Sequence, residues 1–130
     1  MPRQYVKKLL LVVSGALVIA GIVVTAAGAR MVTNYPSTVK IENGPPAFHG
    51  TVTSPRQQCA NKRHVAVFRK RPGRDTKLGG DTTGPAGRWK VVLEPINEGV
   101  YYARVRQRDQ IVGGDGFVCE KDVSKDVVID

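Results

Sequence analysis

The chain has 130 residues, 42% of them hydrophobic and 24% charged, and 20 Lys+Arg against 11 Asp+Glu leave a formal net charge of +9. That length accommodates one ordinary domain, and that balance excludes both a low-complexity disordered chain and a multispan membrane protein. With 2 His and 2 Cys, a four-ligand zinc site would need added carboxylates, and nothing has that spacing; no metal and no cofactor is expected.

In chain order, the first element is an address. Arg3, Lys7 and Lys8 precede an apolar segment, residues 9–29, that carries no charge and ends in Ala27-Gly28-Ala29. A basic start, an apolar run and a small-residue A-x-A site make residues 1–29 a secretory signal peptide. The competing reading is an uncleaved anchor: residues 9–29 are 21 residues, and a transmembrane helix that long crosses a ~30 Å hydrocarbon core. Both readings hold Lys7 and Lys8 on the cytoplasmic side and deliver residues 30–130 outside, secreted or anchored to the membrane. Without residues 1–29, 17 basic and 11 acidic residues remain, a formal +6.

Residues 30–37 read as a linker and 38–130 as the folded domain. No window in it has sustained 3.6-residue periodicity, whereas several have period two: 38–42, 48–53, 64–68, 89–94 and 101–108. Short apolar runs follow at Ile111-Val112, Phe117-Val118 and Val127-Val128-Ile129. Turn signals such as Asn43-Gly44-Pro45-Pro46, Arg71-Pro72-Gly73, Gly79-Gly80-Asp81, Gly84-Pro85-Ala86-Gly87 and Gly113-Gly114-Asp115-Gly116 separate the runs. Roughly seven short strands at that spacing predict an all-β, antiparallel β-sandwich behind one N-terminal hydrophobic helix. Trp89 is expected in its core with Phe48, Val65, Val67, Val91 and Val105. In 101–108, alternation puts Tyr101, Ala103 and Val105 on the core face and Tyr102, Arg104, Arg106 and Arg108 on the solvent face.

Cys59 lies in a polar loop and Cys119 ends an apolar run. An even cysteine count in an exported domain predicts one disulfide, Cys59–Cys119. Closing a loop of about 60 residues would stabilise the fold by about 4 kcal/mol.

A family pattern runs through the middle of the chain. It comprises Phe48-His49-Gly50-Thr51-Val52-Thr53, His64-Val65-Ala66-Val67-Phe68-Arg69, Gly80-Asp81-Thr82-Thr83-Gly84-Pro85-Ala86-Gly87-Arg88-Trp89-Lys90-Val91 and Gly99-Val100-Tyr101-Tyr102-Ala103-Arg104-Val105. This resembles the carboxypeptidase regulatory-like and transthyretin-like (prealbumin-like) β-sandwich superfamily, with its "G-x-V" first strand, its "T-D-x-x-G-x-F/W" hairpin and its "G-x-Y-x-V-x-V" closing strand. Asp81 preceding Thr82-Thr83 and the long Gly84–Gly87 hairpin loop depart from that pattern. The resemblance implies an Ig-like or prealbumin-like sandwich with a scaffold or adhesion role and no catalysis of its own. Fold alone assigns no function. The leader also resembles that of type IV pilins in outline, without the acidic residue those helices carry.

Catalysis has little support in the residues. Neither His49 nor His64 can be matched to Ser37, Ser54 or Ser124 in a nucleophile-elbow motif. The loop around Asp115 offers one carboxylate, too few for a calcium site. The informative feature is charge. Arg69, Lys70, Arg71, Arg74 and Lys77 cluster in sequence, and Arg104, Arg106 and Arg108 share one strand face. If the two strands neighbour each other, they form a positive patch for phosphates, sulfates or carboxylates; otherwise the charges solubilise a basic surface. An extracellular polyanion or cell-wall polymer is the expected partner. Nucleic acid is less expected, because the address argues against a cytoplasmic role and no aromatic interleaving for base stacking is visible in the cluster. The expected function is therefore a non-enzymatic exported module with a structural or interaction role. The alternative is a single-pass membrane-anchored subunit of a surface assembly, pilin-like or accessory to an enzyme.

Overall fold

The computed structural model describes residues 31–130. The leader, the expected hydrophobic helix and the choice between signal peptide and anchor lie outside the described residues. Eleven strands occur among the described residues and no α-helix. They are β1 (Val32–Tyr35), β2 (Thr38–Gly44), β3 (Ala47–Thr53), β4 (His64–Arg69), β5 (Thr76–Thr82), β6 (Arg88–Val92), β7 (Gly99–Val105), β8 (Arg108–Val112), β9 (Asp115–Cys119), β10 (Asp122–Val123) and β11 (Val127–Ile129). A 3-10 turn, Gln57–Cys59, precedes β4.

Two main sheets form a β-sandwich. One has the order β2-β3-β6, the other β10-β7-β4-β5 with β11 also on β7, and every pair in them is antiparallel. Period-two alternation turns Val39, Phe48, Val52, Trp89 and Val91 of the first inward against Val65, Val67, Tyr101, Ala103 and Val105 of the second. Phe48 and Tyr101 meet across the sheets with ring centroids 4.8 Å apart. Burying each such side chain contributes about 1.5–3 kcal/mol, so the expected core residues are also the ones that hold the sandwich. Polar side chains close both open sides: Asp122 Oδ2 accepts Val39 N–H at 2.8 Å, and Asp81 Oδ2 accepts Lys90 N–H at 2.8 Å.

The third sheet, β1-β9-β8, departs from expectation. Val32–Tyr35, read as part of a linker, pairs in parallel with β9 from Val32↔Gly116 to Tyr35↔Cys119. Its three exposed residues and one half-buried residue show no alternation, so the strand exists only because β9 offers a free edge. The strand count exceeds the expected seven or so because β1 and β10 are short pieces recruited by neighbours and β5 forms across a segment read as a turn. Gly79 and Gly80, read as a turn, lie inside β5. A Cβ on Gly79 would stand 2.8 Å from Val91 Cγ1, so glycine there serves the close packing of β5 against the core. Gly87 is a true turn residue, with φ +75° and its Cβ position 2.2 Å from Val52 O.

The disulfide is present. Cys59 and Cys119 are joined with Cα atoms 5.3 Å apart, and both are fully buried. The bond fastens the 3-10 turn to β9, and thereby the small sheet to the loop preceding β4.

Candidate functional site

Strand register determines which basic side chains meet. β4 and β7 are antiparallel neighbours, with Ala66↔Arg104, Phe68↔Tyr102 and Val65↔Val105. Because Val65, Val67, Ala103 and Val105 point inward, the alternate residues Ala66, Phe68, Tyr102 and Arg104 form the outer face. β5 adds Gly80 opposite Ala66 and Lys77 opposite Phe68.

A cation–aromatic ladder runs along this face. Phe68 and Tyr102 stack with centroids 5.4 Å apart and planes 10° from parallel. The Arg104 guanidinium carbon lies 4.5 Å over Phe68, and Lys70 Nζ lies 6.0 Å from the Tyr102 centroid. The sequence shows no aromatic interleaving because these rings lie on different strands. Phe68 is only 8% exposed, so it supports Arg104 and presents no open stacking platform. The Tyr102 hydroxyl donates to Asp75 Oδ2 at 2.6 Å, and Arg71 N–H donates to Asp75 Oδ1 at 3.1 Å. The first bond, then the second, holds the Asp75 carboxyl below its ordinary value, while the bond to Asp75 pushes the Tyr102 hydroxyl up.

The eight expected basic residues divide into three groups. Arg69 and Lys70 are engaged locally: Arg69 Nη2 donates to Glu98 O, and Lys70 Nζ pairs with Asp126 Oδ2 at 2.7 Å. Arg71, Arg74, Lys77 and Arg106 are exposed and belong to neither ion pair found among the described residues. Arg104, also exposed, keeps its outer edge in solvent above Phe68.

Arg108 requires a correction. β7 ends at Val105, and Arg108 opens β8 in the third sheet, so the three arginines do not share one strand face. The chain turns at Arg106, whose N–H donates to His64 O at 3.2 Å and whose carbonyl accepts Arg63 Nη2 at 2.6 Å. Arg108 Nη1 donates to the carbonyls of Asn61 and Lys62 at 2.9 Å each, and Nη2 donates to that of Gln58. It props the loop instead of facing a ligand.

The sequence reading missed Arg63. It is fully buried, and its guanidinium donates to Ser37 Oγ at 2.8 Å, Cys59 O at 2.6 Å, Arg106 O at 2.6 Å and Glu120 O at 3.0 Å. Burial, then the charge of Arg108, lowers its pKa to about 10, so it stays a cation at neutral pH. No period or motif marks this position; three distant segments and the nearby Cys59 carbonyl supply the oxygens. Lys62, His64 and Lys121 were missed as well. His64 and Arg106 border a depression of about 240 Å³ that includes Ala66, Gly80 and Lys77. Lys121 borders another, of about 460 Å³, with Arg104 and Arg106. Arg106 is common to both.

No protein-family profile, curated protein or solved structure matches the chain.

Proposed function

We propose that this protein is a non-enzymatic, exported β-sandwich module that binds an extracellular polyanion along the outer face of its β10-β7-β4-β5 sheet. The observation that carries the reading is the row of exposed cations without carboxylate partners on that face. Arg106 stands at one end, Arg104 and Lys77 in the middle, and Arg71 and Arg74 at the β4–β5 hairpin tip. The six residues of β4 set its length at about 20 Å, from ~3.3 Å per residue. That is a line of charge suited to a phosphate-, sulfate- or carboxylate-bearing polymer. The buried disulfide is compatible with an extracytoplasmic address. The transthyretin-like pattern supports a prealbumin-like scaffold that displays a surface and performs no chemistry of its own.

The test is retention of the protein on immobilised polyphosphate and on a sulfated polysaccharide as a function of NaCl. Counterion release makes log affinity fall linearly with log salt. Replacing Arg104 or Lys77 with alanine should lower that slope by about one each. A slope unchanged in both variants would refute the assignment of this face.

The charge-free segment 9–29 favours a second arrangement, in which the same domain is held at the membrane as a single-pass subunit of a surface assembly. Intact mass of the native protein decides between them: the mass of residues 30–130 means a secreted module, and the mass of the full chain means an anchor.

A further inference from the structure

A cavity of about 190 Å³ opens beside the β7–β8 turn, lined by Lys62, Arg63, His64, Arg106, Gln107 and Arg108. Five of these six are basic, and none is a carboxylate. Arg63 and Arg108 have spent their terminal nitrogens on Ser37 Oγ and on the carbonyls of Gln58, Cys59, Asn61, Lys62, Arg106 and Glu120. All seven acceptors are neutral. Each guanidinium also keeps a buried Nε–H with no acceptor. Two like charges, Arg63 fully buried and Arg108 half-buried, close enough for one to depress the other's pKa, thus share a cavity whose lining holds no carboxylate. Carbonyl dipoles offset part of that cost, but a buried charge is compensated fully only by an opposite charge or a complete hydrogen-bond set.

The geometry points to a binding site for one tetrahedral oxyanion, a phosphate or sulfate group, in this cavity. The volume equals about six waters at ~30 Å³ each, which admits such a group with part of its hydration shell. Its oxygens accept from Lys62 and Arg106, whose side chains are exposed and belong to neither ion pair, while the charges of Arg63 and Arg108 act from behind them. The group is either a free ion or the terminus of a polymer. The inference stands apart from the polymer reading, with which it shares only Arg106.

The test is a titration of the full chain with sodium sulfate and sodium phosphate at ionic strength held constant with NaCl. Calorimetry and the thermal midpoint are both followed. Saturable binding is expected, with the midpoint rising as the site fills. Lys62→Ala should weaken affinity roughly tenfold, the effect of one lost charge-assisted hydrogen bond, and leave the midpoint without anion unchanged. Arg104→Ala, outside the cavity, should leave sulfate affinity intact. A rise that is linear in concentration, equal for chloride, or identical in Lys62→Ala would overturn the site. Sulfate binding without polymer retention would sustain this site and refute the polymer reading, and polymer retention without sulfate binding would do the reverse. With sulfate bound, displacement by a short phosphate-terminated oligomer identifies the polymer end as ligand, and failure to displace identifies the free ion.

Discussion

The two ends of the basic face handle charge differently. At the β4–β5 hairpin tip, acids stand beside the cations: Asp126 pairs with Lys70, and Asp75 is held by Tyr102 and by the Arg71 backbone. At the β7–β8 turn, Arg63 and Arg108 find only neutral oxygens, with Lys62 and Arg106 beside them. The tip is the denser cluster in sequence, yet the turn is the stronger electrostatic feature. The supply of partners, more than the count of charges, decides where a surface attracts anions.

Replacing Arg63 with methionine should break this contrast most severely. It strips donors from the buried Cys59 carbonyl and Ser37 hydroxyl and from the part-buried carbonyls of Arg106 and Glu120, and unsatisfied buried acceptors cost about 1–3 kcal/mol each before relaxation. We expect a loss of roughly 3–5 kcal/mol, read as a lowered urea midpoint; a loss under about 1 kcal/mol would mean the oxygens find water instead. Next in size is the disulfide. Cys59→Ser/Cys119→Ser should lose about 2–4 kcal/mol in the same assay, with hydrogen exchange rising first in the third sheet, which the bond ties to the turn before β4. Exchange rising equally in β3 and β6 would show that the bond stabilises the whole sandwich instead.

Smaller effects sharpen the comparison. Arg106→Ala should weaken polymer retention at low salt more than Lys70→Ala, because Lys70 is already paired with Asp126; equal losses would remove the distinction between the two ends. The smallest effect concerns pH. Asp75 has its folded pKa below the ordinary 3.8, so its contribution to stability is present above that value and fades as pH falls through the folded value. Tyr102 has its folded pKa above the ordinary 10.0, so its contribution is present below pH 10 and fades as pH rises through the folded value. Tyr102→Phe removes the alkaline limb and reduces the acid one, since the Arg71 N–H still donates to Asp75. Its urea midpoint should change less than wild type between pH 5 and pH 3, and parallel curves would show that the hydroxyl bond does not form in solution.

Alternation alone made much of this molecule legible. Val65 and Val67, then Tyr101, Ala103 and Val105, occupy the faces their period-two spacing implies, and Trp89 sits in the core beside them. The cysteine pair was legible because a domain expected outside the cytoplasm, with two cysteines, has one bond to make. The third sheet was less so, since Val32–Tyr35 has no pattern of its own and becomes a strand only against β9. Gly79 and Gly80 misled because a glycine required by close packing looks the same in sequence as one required by a turn.

Local chemistry in the sequence by itself determined the all-β class, the inward faces, the disulfide and the abundance of cations. Only the tertiary structure decided which cations matter. Arg104 and Arg108, four positions apart, end in different sheets because the chain turns at Arg106, whose carbonyl accepts from the buried Arg63. Burying a guanidinium requires oxygens from Ser37, Cys59, Arg106 and Glu120 to converge. Convergence of distant segments is a property of packing, and no local pattern in a linear chain encodes it.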